Sequence, residues 1–132
     1  MMWSITLTTF TADMMAFLQQ FFGVVGVQGH AHHQDILSTP PSEPADLALI
    51  LKTLPCLEQS EKGAAAKLLD SVQARHLLIS YPAQSLGGRS KGMVANYEAQ
   101  FWQLADGRDW HITRYEFATE LVFLATLPAA AC

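Results

Sequence analysis

Cysteine is scarce in this sequence. Only Cys56 and Cys132 occur in 132 residues, far apart, which argues against a disulfide framework and for a reduced, cytoplasmic setting. No cationic stretch precedes the first apolar run, so export is not expected. Polar residues interrupt every apolar run well short of spanning length, so no transmembrane helix is expected. The formal net charge of −4 argues against a protein that coats nucleic acid generally. Neither an internal repeat nor a low-complexity tract is present. Half of the residues are hydrophobic, which excludes disorder. A single domain over residues 1–132, with a buried core, is the expectation from length.

One absence is local. No acid lies between Ser71 and Glu98, although the chain is acidic as a whole. That segment carries Arg75, Arg89 and Lys91, so it holds +3 while the other residues hold −7. Within it, Leu77, Leu78 and Ile79 read as a short buried strand. Pro82 ends that strand because it has no N–H for a ladder. Gly87 and Gly88 then allow backbone angles that other residues resist. Arg89 and Lys91 follow, and an apolar, aromatic run from Met93 reads as a helix. Strand, glycine-bearing basic loop, helix is the layout of a site at the end of an α/β sheet. The same residues also fit a solvated turn with two surface cations.

The remaining chain alternates strands and helices. Residues 3–8 read as a strand, and Met14, Phe17, Leu18 and Phe21 recur at helical spacing to about Phe22. Gly23, Gly26 and Gly29 are expected to break that helix. His30, His32 and His33 at near-alternate positions fit a polar edge strand. No set of cysteines or acids completes a metal site, so no metal ligand is assigned. Pro40, Pro41 and Pro44 stiffen a loop. Residues 46–51, DLALIL, read as a buried strand of a parallel sheet that Lys52 ends. Residues 57–72 read as one amphipathic helix, apolar at Leu57, Ala64, Ala65, Leu68, Leu69 and Val72, with Glu58 and Lys62 as an i,i+4 pair. A helix over 93–104 aligns Tyr97, Phe101 and Leu104, and Asp106-Gly107 is a turn signal. Residues 110–117 and 120–127 read as two strands without an intervening helix, an antiparallel hairpin at a sheet edge.

The stretch SYPAQSLGGRSKGMVANY, residues 80–97, resembles the C-terminal signature of the aminoglycoside-resistance 16S rRNA (guanine-N7) methyltransferases, with Tyr81 where that family usually has Phe. The resemblance extends through Gln34-Asp35, Pro40-Pro41, Asp46 to Leu49, Leu51 to Glu58 and Thr119-Glu120-Leu121. It implies an α/β chain, a partial Rossmann-like fold of S-adenosylmethionine (SAM)-dependent methyltransferases from its second strand onward. It implies SAM as cofactor, with Gln34, Asp35 and Ile36 beside the adenine and Ile50, Leu51 and Lys52 lining the pocket. It implies 16S rRNA as partner, with Arg89 and Lys91 on phosphates or a guanine O6 and Met93 packed on the base. No catalytic residue is assigned, because guanine N7 has a free lone pair and its methylation needs positioning rather than a general base.

The family's D/E-x-G-x-G turn is missing from these residues, and Thr6 stands where the family has a ribose-binding acid. Threonine lacks the two acceptor oxygens of a carboxylate. The expectation is therefore a methyltransferase relative that does not methylate alone. A noncatalytic remnant that self-associates or binds RNA weakly, and a small α/β interaction domain, are the alternatives. Without the family's central first strand, the second and fourth strands must meet directly, or another copy must fill the gap. An exposed strand edge recruits other chains, so a homodimer is expected.

Overall fold

The computed structural model describes residues 5–9, 12–26, 28–33, 44–83 and 92–128. They fall into two compact units, Met1–Pro41 and Ser42–Cys132. In the first unit, strand β1 (Ile5–Thr9) leads into helix α1 (Ala12–Val25) and strand β2 (Gly29–His33). The two strands pair in parallel, Ile5 beside Gly29 and Thr9 beside His33. Met15 and Phe22 are buried. A Cβ on Gly29 would lie 2.6 Å from the Phe22 ring, so only glycine lets the helix approach β2 this closely. Gln19 Nε2 donates to the Gly29 carbonyl at 3.1 Å. Gly23 does not break the helix. The chain leaves it at Gly26, which takes a φ of 76°.

The second unit holds β3 (Ala45–Leu51), α2 (Leu54–Ser60), α3 (Ala64–Ser71), β4 (Ala74–Pro82), α4 (Met93–Ala105), β5 (His111–Glu116) and β6 (Glu120–Thr126). Its sheet runs β3-β4-β6-β5. The first pair is parallel and the other two are antiparallel. The terminal hairpin is thus at one edge, as its turn residues predict. Its second strand inserts beside β4, which places β5 outermost. Among the described residues β1 pairs with β2 in the first unit, and β3 pairs with β4 in the second.

The expected single helix over 57–72 is two helices. Gly63, at φ 86°, turns the chain between them. The Glu58 carboxylate accepts from the N–H groups of Gly63 at 3.2 Å and Ala65 at 3.0 Å, capping α3 where Gly63 has no side chain to do so. Glu58 and Lys62 therefore do not share one helix face.

One face of the sheet carries Leu77, Ile79, Tyr81, Leu121, Phe123 and Ala125, all buried. Phe101 of α4 stacks on Phe123 with centroids 3.8 Å apart, and both are 0% exposed. Tyr81 stacks on Tyr97 at 5.3 Å and meets Phe101 and Phe123 edge-on. Arg114 of β5 reaches Glu98 of α4 at 2.9 Å. Arg108, after α4, binds Asp70 of α3 at 2.8 Å, so both helical crossovers lie on this one face.

The other face is different at the β3 edge. Leu47, Leu49 and Leu51 alternate onto it and are 50%, 57% and 53% exposed. The expectation of a fully buried β3 fails here. A strand's burial depends on its neighbours, and among the described residues of the second unit β3 has a neighbour strand on one side and helices on one face only.

Candidate functional site

Parallel strands β3 and β4 end side by side, and the chain after β3 makes a tight turn. Lys52 sits at that turn with a φ of 54°, the one positive φ of a non-glycine among the described residues. Left-handed backbone is costly for a side chain with a Cβ and is seen at sites where surrounding contacts hold it. Here those contacts come from Ser80 of β4. Its carbonyl accepts from the Lys52 N–H at 3.0 Å and its hydroxyl accepts from the same N–H at 3.1 Å. Thr53 Oγ1 donates to the Leu51 carbonyl at 3.0 Å, and Cys56 Sγ donates to the Lys52 carbonyl at 3.7 Å. Pro55 stands in the first turn of α2, where its missing N–H costs nothing.

The Lys52 ammonium leans over the strand ends to Glu120, at the start of β6, 3.3 Å away. Both side chains remain partly exposed. Leu51 presents an apolar side chain beside this pair, whereas Ile50 is buried on the helix-covered face with Ile79. Met93, half-buried, opens α4 directly after Gly92, which takes a φ of 77°. The site thus offers an apolar surface, a restrained backbone turn and one cation balanced by one acid. Such a set can hold and orient a ligand. Among these groups none is placed as a general base.

Of the residues expected to form the site, Ile50, Leu51, Lys52 and Met93 lie among the described residues. Gln34, Asp35, Ile36, Arg89 and Lys91 lie outside them. Thr6 is on β1, beside His30 in register. Ser80 and Glu120 were missed as partners of Lys52. Both belong to stretches that carried the resemblance, Ser80-Tyr81-Pro82 and Thr119-Glu120-Leu121, but only the strand order brings them to Lys52.

Strand order, the final hairpin and the turn after β3 define a Rossmann-like fold of SAM-dependent methyltransferases. In structure the chain is similar to the 16S rRNA methyltransferase RmtF crystallised with S-adenosyl-L-homocysteine, with a TM-score of 0.85, 27% identity, and coverage of 95% of this chain and 55% of that one. In sequence it is 38% identical over 117 residues to a 16S rRNA (guanine(1405)-N(7))-methyltransferase of Micromonospora rosea, covering 86% of this chain and 43% of the relative. A 16S rRNA (guanine(1405)-N(7))-methyltransferase of Serratia marcescens is 53% identical over 68 residues, covering 52% of this chain and 27% of the relative. Residues 4–124 match the family described as Ribosomal RNA methyltransferase (FmrO), and the chain belongs to that family. It spans less than half the length of these curated relatives.

Proposed function

We propose that these residues form the C-terminal part of a SAM-dependent 16S rRNA guanine-N7 methyltransferase fold, and that by themselves they bind SAM weakly and do not methylate. The observation that carries this reading is that β3, paired in parallel with β4, has its other edge unpaired among the described residues. A Rossmann-like sheet of this family has its first strand and glycine turn at that point in the order. Leu51 and the backbone turn at Lys52 suit the apolar, adenine-side part of a SAM pocket, and the family resemblance assigns Gln34, Asp35 and Ile36 to the same cofactor. SAM would supply the methyl group and its sulfonium leaving group. No D/E-x-G-x-G turn is present for its methionine half, and Thr6 offers a hydroxyl where two acceptors are needed.

Isothermal calorimetry tests this directly. Only weak or undetectable SAM binding is expected, and low-micromolar affinity would overturn it. Thr6→Asp should restore little, because the glycine turn is still missing. For RNA, Arg89 and Lys91 supply the contact, with Met93 against the base. Filter binding to a 16S decoding-region hairpin at low salt should then be weak and salt-dependent. Arg89→Ala with Lys91→Ala should flatten the log–log salt slope by about two. Equal binding by wild type and the double variant would leave only a noncatalytic remnant. Self-association into a cytoplasmic homodimer belongs to the same reading, since an unpaired apolar strand edge recruits another chain.

A further inference from the structure

Lys52 is held in a backbone whose cost its ion pair does not offset, and we infer that its ammonium is a phosphate contact for RNA, held by Glu120 until RNA displaces the carboxylate. This rests on the RNA-binding part of the function proposed above and adds a residue to it.

The four other left-handed positions among the described residues are Gly26, Gly63, Gly92 and Gly107. Glycine takes that backbone freely, and a residue with a Cβ does not. At Lys52 the compensation is an ion pair with Glu120 at 3.3 Å, between side chains that both remain partly exposed. Such a pair contributes less than the backbone costs, so a turn alone would be more stable with glycine. A side chain kept against the stability of the fold points to a role outside the fold. The pair of Lys67 and Glu61 gives the contrast. It is 3.4 Å long and also exposed, but Lys67 lies inside α3, where helical backbone carries no such cost.

Position and charge name the ligand. Lys52 follows the C-terminal end of β3, and open α/β sheets take their ligands at that end of their strands. Glu120 stands in register beside Pro82, and residues 84–91, with Arg89 and Lys91, come next in sequence. SAM is itself a net cation, since its sulfonium and ammonium outnumber its carboxylate, so a further cation suits it poorly. RNA carries an anionic phosphate at every nucleotide. An ion pair in water is weak enough for such a polyanion to exchange. Glu120 therefore opposes RNA binding rather than serving it.

Filter binding of the 132-residue chain to the 16S decoding-region hairpin, over a salt series, tests the inference. Lys52→Gly should bind about tenfold more weakly at low salt, with a log–log salt slope flatter by about one. Its urea midpoint should be unchanged or higher, and a merely structural role would not weaken binding while raising stability. Glu120→Gln should bind about threefold more tightly. That gain should vanish when Lys52→Gly is added. Glu61→Gln, which removes the same charge from the contrasting pair, should leave binding unchanged. Equal binding by wild type and Lys52→Gly overturns the inference. An equal gain from Glu61→Gln and Glu120→Gln also overturns it, because general charge then explains both. If Lys52→Gly fails to fold, the two glutamate variants still decide. No binding by wild type at low salt overturns the RNA reading itself, and this contact with it.

Discussion

On one face of the four-stranded sheet, Ile79 is buried and Tyr81 and Phe123 lie against α4. On the other, Leu47, Leu49 and Leu51 of β3 are half exposed or more. Both faces are made of the same kinds of residue at the same period of two. What separates them is supply. Two crossovers, β3 to β4 and β4 to β5, each bring helix to the first face, and ion pairs from Arg108 and Arg114 tie those helices to each other and to the sheet. Among its described residues the second unit brings no helix to the leucines of β3. The composition of a strand thus reports what it was built to be covered by, and the burial reports what covers it.

Truncation is the sharpest way to break this comparison. Phe101→Ala should lower unfolding free energy by about 3–5 kcal/mol, because a ring stacked on Phe123 leaves a cavity. Leu49→Ala should change it by about 0.5 kcal/mol or less in the monomer, as for an exposed site. Urea unfolding followed by circular dichroism checks both, and equal losses would mean that the two faces are equally covered. Next in size is the cap on the helix-bearing side. Glu58→Ala strips the acceptor from Gly63 and Ala65 and should cost about 1 kcal/mol, with less lost in Glu58→Gln, which keeps one acceptor oxygen.

The buried face also contains a defect. The Tyr81 hydroxyl has no hydrogen-bond partner among the described residues, and burial, with the Glu58 carboxylate nearby, pushes its phenol pKa up from 10.0. Tyr81→Phe keeps the ring and removes the orphan hydroxyl, so it should stabilise by about 1 kcal/mol. The sign of the pH effect follows. With the folded pKa above the unfolded one, stability from the neutral phenol is intact below pH 10 and declines as pH rises beyond it. The Phe variant should lack that alkaline decline in a urea series run at increasing pH.

Much of this fold is legible locally. The spacing of Tyr97, Phe101 and Leu104 gives α4, and the Asp106-Gly107 turn with two β-rich runs gives the hairpin. Three things are not local. The helix over 57–72 keeps its apolar spacing through Gly63, so periodicity cannot reveal that it is two helices. Residues 46–51 read as buried because a continuous apolar run is all that sequence offers, while coverage is set by distant segments. The partners of Lys52 are hidden for the same reason. Lys52 itself was legible as a strand end, but Ser80 is 28 residues away and Glu120 is farther. They reach it only because β4 lies beside β3 and β6 lies beside β4.

The smallest expected effect is at Lys52, where the two faces meet at the strand ends. Its left-handed backbone costs a residue with a Cβ about 1 kcal/mol or more. Its ion pair with Glu120 is exposed, and such pairs contribute about 0.5 kcal/mol. Lys52→Gly removes both, so unfolding free energy should rise by about 0.5 kcal/mol. Glu120→Gln, which removes the pair and leaves the backbone alone, should lower it by about 0.5 kcal/mol or less. The difference between the two variants isolates the strain. If Lys52→Gly instead loses more than about 1 kcal/mol, the bonds from Ser80 do not hold the turn at a cost, and the turn at the end of β3 is an ordinary chain exit rather than a restrained part of a binding site.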